Sequence, residues 1–411
     1  MVSYLQIFRV FMRIGWLSFG GPAAQIALMH RELVERHAWL TERQYLRALS
    51  LCMLLPGPEA TQLAAYAGWR LRGIGGGLLA GVLFILPGAV VIAALAAAYA
   101  AWGGLQPVQA AFLGIKASVL VIVIEALIRV ARRALRGRAQ IAIAVAAFGA
   151  ISLAGLPFPL VIIAAALAGA LGLSAPAEPV ADTAASPAAG LRVVLIGVPL
   201  WLAPVGLAWL AGSGFLATLG LFFAKLAVVS FGGAYALLTY MTQTVVQGYG
   251  WITTAQMIDA LGLAETTPGP LILVVEFIAW LAGDTLGGPW LAAAAALMAL
   301  WVTFVPSFLF IFALAPSIDW LAGRPRLSAA LEGVTAAVVG VIGTLALWFG
   351  QQVLFNGQTI ILGPFALPDP GAIDWRAALI AVLAGVALIR LRIGLIRVLI
   401  GAAIAGLLLA G

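Results

Sequence analysis

Two apolar stretches of this chain are interrupted by the same tripeptide: LLPGPEATQLAA at residues 54–65 and TTPGPLILVVEF at residues 266–277. Two prolines around a glycine remove backbone donors and stop an α-helix. Inside lipid no water can pair the freed N–H and C=O groups, so such backbone is tolerated only where it is buried in protein or lines a cavity. A mere proline kink in one through-going helix is the alternative reading of each break.

The need to satisfy backbone in lipid arises because the chain is 64% hydrophobic and only 9% charged, with a mean hydropathy of +1.12. Apolar runs of about 17–25 residues, the length that crosses a hydrocarbon core of about 30 Å, recur along it and leave no soluble domain over. An all-α integral membrane protein is expected and a soluble enzyme is excluded. The start, MVSYLQIFRVFMRIGW, lacks a small-residue cleavage site, so no processing is expected. Cys52 is the single cysteine and His30 and His37 are the two histidines. That rules out an intrachain disulfide and argues against a cysteine- or histidine-built metal centre, and no cofactor is expected. The net charge of +7 falls in short clusters between apolar runs. Membrane topology explains such clusters better than nucleic acid does.

The breaks belong to a repeat. Residues 18–58 align without a gap on 230–270, an offset of 212, with 16 of 41 positions identical. The matches include SFGG at 18–21 and 230–233, Trp39 with Trp251, Thr41 with Thr253, Gln44 with Gln256, and PGP at 56–58 and 268–270. Residues 1–173 and 215–411 form the two repeats. Between them, 174–214 holds an Ala- and Pro-rich linker, read as mobile over 174–190, and an apolar segment at 193–211 without a first-half partner.

Charge decides how the segments cross. The first half has apolar segments at 4–29, 44–72, 76–101, 107–129, 139–155 and 157–173; the second has them at 215–241, 255–283, 289–315, 328–350, 376–389 and 393–410. Single crossings throughout would put the arginines of 31–47 and those of 129–138 on opposite sides, against the cytoplasmic bias of Lys and Arg. If the first two segments of each half instead enter and return, these clusters share one side with Arg9, Arg70, Arg72, Arg192, Arg324, Arg326, Arg390 and Arg392. The Lys- and Arg-free loops 102–106, 242–254 and 351–375 then lie outside. Four crossings plus the 193–211 segment make an odd number, which inserts the second half upside down. The expected architecture is an inverted-topology repeat, each half with two re-entrant helical hairpins and about four transmembrane helices, plus one linking helix. That is a recurring plan of secondary transporters, with substrate bound where the breaks meet.

Half-helices that start after Gly21, Pro58, Gly233 and Pro270 aim free N–H groups and positive dipole ends at the breaks, which suits an anion. Arg13 and Lys225, equivalent under the offset, add charge of the same sign; anchoring at the interface is the plainer role for both. Lys116 is a weaker candidate. Glu59, Glu265 and Glu276 are the proton-coupling candidates, since a protonated carboxyl beside an anion does not repel it; for Glu59, a favourable first-turn acid is the plainer role. Asp259 and Asp284 are expected near the outer surface, solvated.

RIGWLSFGGPAAQI with LLPGPEATQLAAYAGWRLRG, and KLAVVSFGGAYALL with ETTPGPLILVVEF, resemble the chromate ion transporter family in its long-chain, two-domain form. The resemblance implies chromate export across the bacterial cytoplasmic (inner) membrane driven by the proton motive force, with sulfate as a close analogue. It carries the site onto Phe19, Gly20, Gly21, Pro56, Gly57 and Pro58, and onto Phe231, Gly232, Gly233, Pro268, Gly269 and Pro270; the adjoining Ser18, Ser230 and Thr267 are substrate-binding candidates beside them. The implied partners are a small inorganic anion, protons and the lipid bilayer, and a homodimer is compatible with them. A flippase for a phosphorylated lipid and an anion channel stay open as alternatives. A membrane enzyme fits least, because no nucleophile–base pair or metal-ligand spacing stands out.

Overall fold

The computed structural model describes residues 2–173, 187–230, 234–315, 325–362 and 365–410. The linker at 174–186 and Phe231, Gly232 and Gly233 lie outside the described residues. The fold is overwhelmingly helical. Five helical stretches are long and apolar enough to cross a membrane: Glu59–Trp102, Gln106–Ala134, Gly190–Leu210, Leu271–Leu314 and Pro325–Leu354. This fits the all-α class; the 351–375 loop adds only a short antiparallel hairpin, in which Thr359–Leu362 (β1) pairs with Phe365–Pro368 (β2).

The repeat extends to the backbone. In the first half α1 (Tyr4–Leu17), α2 (Gly21–His30), a π-helical turn (Arg31–Arg36), α3 (Glu42–Leu54) and α4 (Glu59–Trp102) follow one another. In the second half the corresponding elements are α9 (Gly214–Val228), α10 (Ala234–Met241), a π-helical turn (Thr242–Gly248), α11 (Thr254–Thr266) and a 3-10 turn (Leu271–Leu273) running into α12 (Val274–Leu314). The shared residues do the same work twice. Thr41 and Gln44 exchange side-chain and backbone hydrogen bonds at the start of α3, and Thr253 and Gln256 do so at the start of α11. Trp39 N–H donates to Leu33 C=O at 2.8 Å, and Trp251 N–H to Val245 C=O at 3.0 Å, closing the π-helical turns.

α4 is two helices joined by a reversal. Gly73 (φ 63°, ψ −157°) occupies a conformation essentially reserved for glycine, and Gly288 (φ 74°, ψ −169°) does the same within α12. Beyond the turn the limbs run antiparallel in close contact: a Cβ on Gly68 would lie 2.2 Å from the Gly76 carbonyl oxygen, and one on Gly283 2.7 Å from Ala292 Cα. The limb 59–71 spans about 20 Å at 1.5 Å per residue, short of a full crossing.

The chain divides into two compact units that draw on both halves. The first comprises Met1–Ala97, Ser174–Ala234 and Thr267–Ser328. It contains α8 (Pro187–Leu210), whose Trp201 indole N–H donates to Val302 C=O at 2.8 Å. Its helices meet through small residues: a Cβ on Gly15 would lie 2.5 Å from Leu83 C=O, and one on Gly81 2.3 Å from the Phe308 ring. Such stripes let backbones approach where lipid supplies no hydrophobic drive.

The second unit comprises Ala98–Leu173, Tyr235–Thr266 and Ala329–Gly411. It holds α5 (Gln106–Ala134), α6 (Arg138–Ser152), α7 (Phe158–Gly172), α10, α11, most of α13 (Pro325–Leu354), α14 (Trp375–Gly385) and α15 (Leu395–Ala410). Glycine contacts again set the crossings, with Gly114 against Ala402, Gly169 against Gly333 and Gly340 against Ala144. The helices α6 and α7 are 15 residues each, about 22 Å. They are shorter than the crossings the hydropathy pattern suggests.

Candidate functional site

The four breaks lie in the first unit, and they pair across the two halves. Gly57 N–H donates to Ser230 C=O at 2.9 Å, and Gly269 N–H donates to Ser18 C=O at 2.9 Å. Under the offset of 212 each bond is the image of the other, which is the reciprocity a local two-fold produces. Each PGP glycine therefore meets the serine that opens the SFGG of the opposite repeat.

Ser18 and Ser230 are buried, and their hydroxyls turn back into the preceding helices, donating to Ile14 C=O at 2.5 Å and Ala227 C=O at 2.6 Å. These serines hold the breaks in shape. Phe19, Gly20, Gly21 and Pro58 are half-buried, while Pro56, Gly57, Thr267, Pro268, Gly269 and Pro270 are buried.

Two glutamines outside the motifs complete the junctions. Gln62 Nε2 donates to Pro56 C=O at 2.6 Å, and Gln25 Nε2 donates to Gly269 C=O at 2.6 Å and Ser18 C=O at 3.3 Å. The carbonyls they face dictate which end of each amide is nitrogen. Both Oε1 atoms are buried and unpartnered. At the junction of PGP 56–58 a Cβ on Gly57 would lie 2.8 Å from both Gln62 Nε2 and Ser307 Oγ. Gln62 is 0% and Ser307 1% exposed, and among the described residues the Ser307 hydroxyl also has no hydrogen-bond partner, nor do those of Thr61 and Thr303 on the same two helices. At the junction of PGP 268–270 a Cβ on Gly269 would meet Leu273 Cδ1 at 3.0 Å and Gly88 Cα at 3.4 Å. One junction is thus lined by unsatisfied polar atoms, which cost free energy unless a ligand or water pairs them. At the other, hydrocarbon lies nearest a Cβ on Gly269, with the Gln25 amide on its carbonyl.

Helix ends of both signs meet at these junctions. α2 and α4 begin at the breaks, while α1 ends at Leu17, α3 at Leu54 and α9 at Val228. The N-terminal ends favour an anion.

The charged candidates scatter. Arg13 and Lys225 are exposed on the outer faces of α1 and α9, beside buried Ile14 and Leu226, and the structure does not bring them into the buried junctions. Glu59 is half-buried in the first turn of α4. Glu276 is 3% exposed, and its Oε2 is unpartnered. Glu265 belongs to the second unit, where Tyr235 Oη donates to its Oε1 at 2.6 Å. Asp259 corrects the expectation of a solvated carboxylate: it is 1% exposed and ion-paired with Lys116. Its signal is present in the sequence, because Met257, Ile258, Ala260 and Leu261 give α11 an apolar surface on every side, the mark of a fully buried helix. Gln25, Gln62 and Ser307 escape the motif reading as well, although a lone amide within AAQIAL or ATQLAA is conspicuous in so apolar a setting.

Long apolar helices interrupted by buried, mutually paired breaks define a multi-pass membrane protein of the transport class. The Chromate transporter family model matches residues 5–170 and 217–407, once in each half, and the chain belongs to that family. It is 32% identical to the chromate transport protein of Pseudomonas aeruginosa over 381 residues, covering 88% of this chain and 85% of that protein. It is 31% identical to the chromate transport protein of Cupriavidus metallidurans over 379 residues, 87% and 85% of the two chains. A probable chromate transport protein of Synechococcus elongatus is 30% identical over 368 residues, 89% of each. No solved structure shows significant similarity to the chain.

Proposed function

We propose that the chain is a secondary active transporter that exports chromate, or a similar tetrahedral oxyanion such as sulfate, from the bacterial cytoplasm in exchange for protons. The observation that carries this reading is the reciprocal pairing of Gly57 with Ser230 and Gly269 with Ser18. A pair of homologous halves joined at broken helices offers two arrangements of one site, each open to a different side. The cytoplasmic bias of the arginine clusters supports an axis in the membrane plane, hence an inverted repeat with re-entrant first segments. Backbone N–H groups and the hydroxyls of Ser307, Thr303 and Thr61 are suitable donors for a tetrahedral anion, which asks for no planar fork. The buried carboxyls of Glu276 and Glu265, with Glu59, are the candidates for carrying the proton.

The test is uptake of labelled chromate by everted membrane vesicles with and without an imposed proton gradient. Saturable, gradient-dependent uptake that excess sulfate reduces is expected. No uptake would overturn chromate as the substrate, and uptake that rises without saturation would overturn a carrier in favour of a channel. The inverted arrangement has its own check: a cysteine in place of Gly248 should react with an impermeant reagent from the periplasmic side, and reaction only from the cytoplasmic side would sink it.

A further inference from the structure

The second unit contains a charged cluster that the paired breaks leave unused. Lys116 on α5 places its Nζ 2.9 Å from Asp259 Oδ1 on α11. Tyr99, at the end of α4, donates from Oη to Asp259 Oδ2 at 2.6 Å. The Asp259 side chain is 2% exposed and that of Lys116 18%. The surroundings are hydrocarbon: Phe112 packs edge-on against Tyr99 with ring centres 5.4 Å apart, and Ile115 lies against Gly262. The other titratable groups on the helices packed here are occupied or exposed. Glu125 pairs with Arg129 at 2.6 Å and Glu265 takes the Tyr235 hydroxyl, while Arg132, Arg133, Arg376 and Arg397 are exposed.

Stability does not account for this cluster. A buried ion pair is often no more stabilising than well-packed apolar side chains of the same volume. The repeat supplies an internal control: the position of Asp259 in α11 is that of Arg47 in α3, and Arg47 is exposed. The same helix therefore folds without a buried charge there. Ionisable groups kept inside a membrane bundle mark ion or proton routes.

We propose that Asp259 is a further group that takes up and releases the coupling proton, with Lys116 and Tyr99 as its positioning partners. This assignment rests on the proton-coupled transport reading and adds to it a residue on a different unit from the breaks. The step is a bare proton transfer. The carboxylate accepts one proton from water on one side, forming an O–H bond at Oδ1 in place of the ion pair. It returns that proton to water on the other side as the pair with Lys116 re-forms. No electrons move, and the cluster alternates between neutral and singly positive. Tyr99 keeps Oδ2 occupied and so directs the proton to Oδ1.

The test uses full-length protein in everted vesicles with two readouts: uptake driven by a proton gradient, and counterflow exchange of labelled for unlabelled chromate, which needs no net proton movement. Asp259→Asn is expected to lose at least tenfold of gradient-driven uptake while keeping counterflow within twofold. Gradient-driven uptake untouched by D259N would overturn the assignment. So would loss of both activities in D259N with recovery of both when Lys116→Asp and Asp259→Lys are combined, since the pair would then be structural only. If D259N fails to accumulate, Tyr99→Phe decides. Removing a donor to the carboxylate should move the pH of half-maximal uptake upward, and an unmoved profile would count against the proposal. Absence of gradient-driven uptake in the unaltered protein would instead overturn the transport reading itself.

Discussion

The two junctions of the first unit share a backbone and differ in what lines it. In both, a glycine of PGP donates its N–H to a serine carbonyl of SFGG from the other repeat. Around Gly57 the neighbours are Gln62 and Ser307; around Gly269 they are Leu273 and Gly88. The glutamines do not follow this asymmetry: Gln62 serves the first junction and Gln25 the second, although both come from the first half, opposite Val274 and Leu237 in the repeat. Backbone pairing is retained from the repeat, while the Ser307 hydroxyl makes the surroundings of Gly57 the more polar of the two. On the transport reading proposed above, the junction at Gly57 is where substrate would bind and the junction at Gly269 serves as a brace.

The largest expected effect comes from the glycines. Gly57 has φ +120°, and its added Cβ would sit 2.8 Å from two polar side chains. Gly57→Ala should therefore cost about 1–3 kcal/mol in backbone strain alone and remove transport by about tenfold or more. Gly269→Ala shares the backbone strain (φ +93°) but its Cβ meets the flexible end of Leu273 at 3.0 Å and Gly88 Cα at an ordinary 3.4 Å, and it should be milder; equal loss of uptake in the two variants would break the comparison. Next, Leu273→Ala should destabilise by about 2–5 kcal/mol, seen as a lower unfolding midpoint in detergent with substrate affinity retained. Ser307→Ala should do the reverse, keeping stability within about 0.5 kcal/mol and raising the KM for chromate severalfold. A Ser307→Ala protein with unchanged KM would remove the polar junction from the binding site.

Between these extremes, Gln25→Leu and Gln62→Leu each take the side-chain donor from one carbonyl, those of Gly269 and Pro56, while Ser18 C=O keeps the Gly269 N–H; each should cost about 1–3 kcal/mol. Unfolding should place the two proteins close together, and uptake should rank Q62L as the worse transporter.

The smallest effect tests the turns that follow SFGG. The first is charged: His30 Nε2 lies 2.7 Å from Glu42 and its Nδ1 3.2 Å from Glu35, while the second turn, Thr242–Gly248, has no charged residue. The hydrogen bond to Glu42 raises the His30 pKa above its ordinary value; partial burial opposes this, and the charges of Glu42 and Glu35 add to it. A pKa raised on folding stabilises at low pH and is lost as pH rises through the folded value. Glu42→Gln should thus lower the unfolding midpoint slightly more at pH 6 than at pH 8, and a larger drop at pH 8 would refute the pairing.

Much of this molecule is legible in the order of its residues, for local reasons. The ends of α3 at 42 and 54 recur at 254 and 266 in α11, because capping residues and proline breaks act within a few positions of themselves. The reversals at Gly73 and Gly288 are marked as well, by the glycines of RGIGGG at 72–77 and by LGGPW at 286–290. Asp259 reads wrongly from sequence because a carboxylate near a presumed outer loop invites solvation, and only the packing of α5 and the end of α4 around it removes the water.

The sequence by itself determined that the chain is a duplicated, helical membrane protein with four interruptions, since hydropathy, proline and capping chemistry operate on neighbours along the chain. Only the tertiary structure decided that each PGP pairs with the SFGG of the opposite half, that Gln62 and Ser307 flank one glycine from two different helices, and that Lys116 finds Asp259. Apart from Gln62 beside Gly57, those contacts join residues roughly 140–250 positions apart. At such separations partner choice depends on which helix surfaces close-pack, a property of the assembled bundle and of no single segment.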